Sequence, residues 1–518
     1  MNRRAGSSSP PGEPTGRDVR RLFRRKSFDA TSLGTPLHRT LGVWQLTALG
    51  VGATVGAGIF SGSGSAVAGG AHHLGAGPAL VISHVLVAVA CGFAALCYAE
   101  WAAMVPLSGS AYTYAYASFG ELMAWIIGWD LILEYAVGNV AVAISWSAYF
   151  DTLLEGFGLS LPRWLITDLR TAGSAHEAMT IDPAGATAAI REAAAAWTSA
   201  PQIFGQPVIF NLPAVLIVAF VTWVLYVGIR ESASMNAFMV ALKIGILLFF
   251  MAVGAFWIRP ENWTPFAPNG WAGISAGAAI IFFAYIGFDA VSTAAEEARA
   301  PQRDMPRAII AALIITTLLY ILVTLVMTGL LPWREHGTAD PLASALAVRG
   351  YEWAAGIVAI GAVAAMASVL LVFQLGQSRI FFSMGRDGLL PGWASRVHPR
   401  HKTPHITTLL TGLFVGFFAA FADIHEVIEL TNIGTLFAFI LVAGGVLVLR
   451  VREPDRVRPF RVPAAWLTAP AAILACGYLM LQLPGVTWIR FVLWLGVGLV
   501  LYALYGARRS VVGESREL

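Results

Sequence analysis

Charge is what this sequence lacks. Only 12% of its 518 residues are Asp, Glu, Lys or Arg, about half of what a soluble globular chain carries, while 57% are hydrophobic and the mean hydropathy is +0.68. An aqueous fold of this length could not cover so much apolar surface, whereas a bilayer is a solvent in which that surface is at home. Cysteine is scarce too. Cys91 and Cys97 share one apolar run and Cys476 sits in another, an odd number at depths that exclude a disulfide framework or a zinc site and leave them as small apolar filler. No metal-ligand cluster, nucleophile elbow or phosphate loop occurs in the polar connections, so no enzyme chemistry and no cofactor is expected. The net charge of +4 does not point to nucleic acid, because the basic residues lie between apolar runs. No cleavable signal peptide is evident, since the first ~40 residues are polar and basic.

What is present is long apolar segments. A spanning helix needs about 20 largely apolar residues, and the template fits at 43–67, 78–104, 121–149, 211–229, 233–258, 273–296, 307–331, 353–383, 404–422, 427–449, 463–482 and 486–506. These are numbered helices 1 to 12, and the fold class they predict is an all-α multipass membrane protein. Pro78, Pro213, Pro404 and Pro463 stand at helix starts, where a missing N–H costs nothing. Basic residues gather in alternate connections: the run Arg20, Arg21, Arg24, Arg25 and Lys26, then Arg299, Arg303 and Arg307, then those of 379–402 and of 450–461. Cytoplasmic loops carry that excess, so both termini are expected inside a cell membrane. Residues 1–40 read as a basic, disordered tail and 508–518 as a second cytoplasmic tail. The external segment 150–210 contains an Ala-rich stretch suited to a surface helix. It reads as a spacer, with a cover over the external mouth as the alternative.

Two spans are peculiar. Helix 1 runs LGVGATVGAGIFSGSGSA, and each glycine costs about 1 kcal/mol of helix propensity relative to Ala. Small-residue packing accounts for glycines at four-residue spacing, but the dense GAG cluster fits a break in the helix better. A dinucleotide-binding fingerprint is excluded, because no strand–turn–helix unit surrounds it and the glycine spacing is wrong. Helix 6 holds Tyr285 and Gly287 followed by Asp289, an acid deep in an apolar run. First and sixth are the positions expected of discontinuous helices when helices 1–5 and 6–10 are two inverted repeats, here 41–258 and 259–450, with helices 11 and 12 (451–507) added. Half-helix N-termini offer N–H groups to a carboxylate and exposed carbonyls accept from an ammonium group, so the two breaks together suit a zwitterion.

The segments GATVGAGIF, SGSAYTYAYASFGELMAWIIGWDLILEY, ESASMNAFMVALKIG, FFAYIGFDAVSTAAEEARAPQRDMPRAI and GQSRIFFSMGRDGLLP resemble the cationic amino acid transporter family of the amino acid–polyamine–organocation superfamily, over residues ~35–505. The resemblance implies the five-plus-five inverted-repeat fold and proton-coupled or exchange transport of amino acids. It assigns Thr54, Val55, Gly56, Ala57 and Gly58 to the substrate carboxylate, and the carbonyls of Phe283, Ala284 and Ile286 to its amino group. Ala57 stands where many members carry Thr or Ser, so that position has no hydroxyl to offer.

Lys243 is the only lysine inside any span. Burial disfavours the charged form of an amine, and its match to the family's helix 5 lysine implies a proton-coupling group near helix 1. Asp130 and Glu134 are i,i+4 neighbours on one face of helix 3. Glu134 resembles an acid typical of the family and is a candidate to compensate Lys243 or to tune its protonation. Tyr285 and Asp289 are gating candidates, Asp289 equally a local cap. His84 reads as a satisfied packing residue, Tyr112, Tyr114 and Tyr116 as an interfacial aromatic belt, and Arg379, Arg386 and Asp387 as a solvated helix end.

The leading expectation is a proton-coupled symporter of L-amino acids working by alternating access, in contact with substrate, proton and lipid bilayer. An exchanger is the alternative, and a channel or a non-transporting sensor is the reading from another class. The apolar run AAMASVLLVFQLG of helix 8 favours neutral amino acids slightly over arginine, lysine or ornithine. Oligomeric state and any small membrane subunit are not legible.

Overall fold

The computed structural model describes residues 40–510 apart from 71–72, 107–109, 184–187, 229–232 and 402. The expected tails at 1–39 and 511–518 lie outside the described residues. The structure is 78% helical with almost no strand. Among the described residues, nine helices are long and apolar enough to cross a membrane and three more are shorter apolar helices. Together they match the twelve expected spans one for one. The long ones are Val43–Ala68, Gly77–Met104, Glu121–Gly156, Ala237–Ala255, Gly270–Ala295, Pro301–Leu330, Glu352–Arg386, Ile424–Arg452 and Gly485–Arg509; the short ones are Leu212–Val227, His405–Phe421 and Ala465–Leu481.

Helix n packs on helix n+5 for the first four pairs. Helix 3 lies against helix 8, helix 2 against helix 7, helix 4 against helix 9, and the broken segments of helices 1 and 6 touch each other. A chain whose two five-helix halves are related by a two-fold axis is expected to pair its equivalent helices in this way. Helices 3 and 6 are the innermost, 89% and 94% buried over their apolar windows, whereas helix 12 is 22% buried. Helix 12 turns Ile489, Leu493, Val497 and Leu504 outward, and helix 4 does the same with Leu216, Phe220 and Trp223. These are the rows that lipid covers, because hydrocarbon tails are as apolar as leucine and no force drives such side chains inward.

A buried ionic knot ties the end of helix 2 to helix 10 and the connection that follows it. Glu100, at the end of helix 2 and 1% exposed, receives Arg450 of helix 10 at 2.6 Å and the backbone N–H of Val462 at 2.7 Å, with the Arg458 guanidinium 3.5 Å away. Tyr112, Tyr114 and Tyr116 are not an interfacial belt. They sit buried on a short helix, Ser110–Ser118, and the Tyr112 hydroxyl donates to Asp387 at 2.8 Å. Asp387 is accordingly buried rather than solvated, its carboxylate taking the phenol's hydrogen bond.

The segment expected to be external is a folded unit. Its helices Leu169–Ile181 and Ala188–Ser199 pack together over Ala172, Ala196, Ala200 and Ile209, flanked by Trp164 and Trp197. The second of these is the Ala-rich helix expected from the sequence. The first is capped by Asp168, whose Oδ1 accepts the N–H groups of Arg170 and Thr171. A spacer would need no core of its own.

Candidate functional site

Helix 1 is broken where its glycines cluster. The α-helix Val43–Thr54 ends at Val55, whose ψ of 98° is extended, and after Gly56 and Ala57 the chain resumes as a π-turn Gly58–Gly62 and an α-turn Ser63–Ala68. Helix 6 is broken at the matching place. Gly270–Ile281 tightens into a 3₁₀ turn, Phe282–Tyr285, then Ile286 is extended and Gly287 takes φ +125°, and a second 3₁₀ stretch, Phe288–Glu297, follows. Only glycine adopts that φ readily.

The two breaks abut backbone to backbone. A Cβ on Gly58 would fall 2.2 Å from the Cα of Ala284, and one on Gly287 would fall 2.7 Å from the carbonyl carbon of Ala53. All eight residues assigned to the substrate, Thr54 to Gly58 with Phe283, Ala284 and Ile286, therefore lie in one buried patch at the crossing. Some of its polar backbone groups are already engaged. The Tyr320 hydroxyl of helix 7 sits 2.9 Å from both the Thr54 and the Ala284 carbonyl oxygens, and so bridges the breaks. Asn432 of helix 10 donates to the carbonyls of Ala279 and Ile280, at 2.7 and 3.0 Å, capping the N-terminal half of helix 6 where it ends. From the far side, the Tyr149 hydroxyl donates to the Phe60 carbonyl.

Lys243 reaches the same crossing. It is 1% exposed, and its Nζ donates to the Gly52 carbonyl at 2.6 Å, two residues before Thr54. The bond fastens the N-terminal half of helix 1 near its broken end. The other end of that half is fastened to helix 6 by the Leu41 N–H on the Glu297 carbonyl, 3.0 Å, and the Arg299 N–H on the Leu41 carbonyl, 2.9 Å.

Glu134 lies elsewhere. It faces Asp289 across a void of about 10 Å³ shared with Tyr135, Ile286, Gly287 and Phe373. The structure thus brings Glu134 to Asp289 at the helix 6 break, while the lysine's hydrogen bond goes to helix 1. Asp289 also accepts the Gly287 N–H at 3.1 Å, a local cap on the sharpest residue of the break. Asp130, one turn from Glu134, is fully buried beside Gly434. The Tyr285 ring packs edge-on against Tyr320 of helix 7, and its hydroxyl reaches helix 2. Its hydroxyl donates to the His84 carbonyl at 3.2 Å and lies 3.3 Å from His84 Nδ1, and His84 Nε2 meets Thr324 Oγ1 at 2.9 Å. His84 is therefore a satisfied packing residue, as the sequence suggests.

Tyr320, Asn432 and Tyr149 are the residues that sequence reasoning misses. Each sits among other polar side chains of its span (Thr316 and Thr324, Thr431 and Thr435, Ser145 and Ser147), so none stands out by pattern alone.

A family model described as amino acid permease matches residues 41–502. The chain is 44% identical over 499 residues to a branched-chain amino acid permease of Bacillus subtilis, covering 95% of this chain and 99% of that one. It is 41% identical over 496 residues to a methylthioribose transporter of the same organism, again 95% and 99%. It is 37% identical over 446 residues to a vacuolar cationic amino acid transporter of Arabidopsis thaliana, covering 84% of this chain and 64% of that one. With two broken helices meeting at mid-bundle and these relatives along nearly its whole length, the chain belongs to the amino acid permease family of the amino acid–polyamine–organocation superfamily, a family of transporters and not enzymes.

Proposed function

We propose that the chain carries L-amino acids across the cell membrane by alternating access, as a proton-coupled symporter. The observation that carries this reading is the contact of Lys243 with the Gly52 carbonyl. A protonated lysine holds the inner half of helix 1 in place, and a neutral one has a weaker hold, so proton release and helix movement are linked. A buried cation with one hydrogen bond is costly to keep in hydrocarbon, and a substrate that alters its surroundings shifts that balance. The substrate's carboxylate takes N–H groups of Thr54–Gly58 and its ammonium the carbonyls of Phe283, Ala284 and Ile286. The halves 41–258 and 259–450 then move about this crossing as inverted repeats, with 451–507 outside them, and the pairing of helices n and n+5 supports that division. The basic loops support cytoplasmic termini.

Neutral amino acids are favoured over cationic ones because helix 8 meets helix 1 through Val369, the nearest side chain to Gly56. The relative named for branched-chain amino acids is in accord with that. A second reading has its own observation. Glu134 and Asp289 flank the void beside Ile286 and offer two carboxylates to a cationic side chain.

The test is uptake of radiolabelled L-leucine into proteoliposomes under an inward proton gradient, with unlabelled L-alanine, L-valine, L-arginine and methylthioribose as competitors. Gradient-driven accumulation that L-alanine and L-valine block supports the proposal. Dominant competition by L-arginine selects the second reading, and dominant competition by methylthioribose overturns the amino acid assignment. Uptake that ignores the gradient and needs amino acid inside makes the chain an exchanger.

A further inference from the structure

A polar cavity lies beside the two breaks. It measures about 190 Å³, begins at Ser61 and Gly62 just beyond Gly58, and is walled by Ile144, Ala148, Ile424 and Ile428. Ile166, Thr167, Asp168 and Thr171 of the external segment close it from outside. That roof is tied down: Thr171 Oγ1 donates to Asp423 at 3.0 Å, the Asn211 side chain donates to the Ile166 carbonyl at 3.4 Å, and Arg170 bonds Glu426 at 2.7 Å. Arg490 meets the other Glu426 oxygen at 3.0 Å.

Two carboxylates, Asp168 and Asp423, line this cavity, and His425 is the one basic side chain among its lining residues. The guanidinium of Arg170, next to Thr171 in the roof, is committed to Glu426. Burial raises the Asp168 carboxyl above its ordinary range, and the Asp423 charge adds to that, against hydrogen bonds from Thr171 and Arg170. At the floor, the Ser61 hydroxyl is 3% exposed, lines the cavity and has no hydrogen-bond partner among the described residues, a state that costs about 1–3 kcal/mol unless a ligand or water relieves it. The cavity thus offers negative charge at the roof, an unused hydroxyl at the floor and four aliphatic walls.

We infer that this vestibule is a second binding site for an amino acid, whose ammonium group lies between Asp168 and Asp423, whose carboxylate accepts from Ser61 and whose side chain packs on Ile144, Ile424 and Ile428. The inference rests on the amino acid reading above and adds a station between the outside and the crossing of helices 1 and 6. The external segment is then part of the binding machinery, and its folded core and ties are what such a roof requires.

Equilibrium binding of radiolabelled L-leucine, with L-arginine in parallel, to the full chain in lipid nanodiscs tests it. The expected stoichiometry is two per chain. Ala148→Trp, which fills the cavity, and Asp168→Asn, which keeps a capping oxygen but removes the charge, are each expected to reduce it to one and to leave the remaining site's Kd unchanged within twofold. One ligand per wild-type chain, undiminished in Asp168→Asn, overturns the second site and leaves the central reading standing. No binding of either amino acid to wild type overturns both.

Discussion

Lys243 Nζ and the Gly52 carbonyl oxygen are 2.6 Å apart, inside a bundle that leaves the lysine 1% exposed. The bond joins helix 5 to the last turn of helix 1 before its break. Tyr320 and the Gly58–Ala284 contact act within a few residues of the same place, and each gives a prediction that does not depend on the lysine.

Gly58→Ala puts a methyl group 2.2 Å from the Ala284 Cα. The clash is with backbone, which cannot move aside without shifting a broken helix, and overpacking of this kind costs about 1–3 kcal/mol. Uptake should fall at least tenfold and thermal unfolding should occur at lower temperature. Gly92→Ala in helix 2, where a Cβ meets nothing within 4 Å among the described residues, is the control and should leave both unchanged.

Tyr320→Phe removes the hydroxyl shared by the Thr54 and Ala284 carbonyls and leaves the ring in place. Two buried carbonyls lose a donor, at about 1–3 kcal/mol. Transport rate should drop roughly tenfold or more while the protein remains monodisperse on gel filtration. Unaltered uptake would show that the bridge between the breaks is incidental.

Glu100→Ala leaves Arg450 and Arg458 without their carboxylate in a mostly buried setting. Removing one partner of a buried ion pair costs about 3–5 kcal/mol. The variant should express poorly and unfold at a markedly lower temperature, and Glu100→Gln should recover part of the loss by keeping an acceptor for the Val462 N–H.

His336, in the connection after helix 7, is 1% exposed. Burial lowers its pKa from 6.5 to about 4, partly offset by a bond to the Leu331 carbonyl. Between those values the unfolded chain binds the proton and the folded one does not, so stability rises with pH across that window. The full effect is on the order of 3 kcal/mol: present above pH 6.5 and lost progressively as the pH falls toward 4. Denaturation midpoints measured from pH 7 to 4 should show this slope, and His336→Gln should flatten it.

The twelve helices were legible because apolar runs of bilayer length have no other stable use. The breaks were legible because glycine and a lone acid are expensive in such a run, and Lys243 because a cation is. Other features depend on which faces meet. Glu134 and Lys243 sit in different helices, and only packing decides that Glu134 faces Asp289 while Lys243 faces Gly52. Tyr320 and Asn432 look like ordinary polar residues in apolar helices until a broken backbone needs their hydrogen bonds. The fold of residues 150–210 was hidden for a different reason. Its core is four small or aliphatic side chains spread across the whole segment, too thin a pattern to distinguish from a spacer.

The central claim is that Lys243 couples a proton to substrate movement. The direct measurement compares wild type and Lys243→Ala in proteoliposomes, recording labelled amino acid accumulated under an inward proton gradient together with equilibrium binding by the same preparations. The account predicts that the variant still binds substrate but reaches a steady-state ratio near one, inside to outside, with or without the gradient. Gradient-driven accumulation that survives in Lys243→Ala contradicts it and returns the lysine to a structural role.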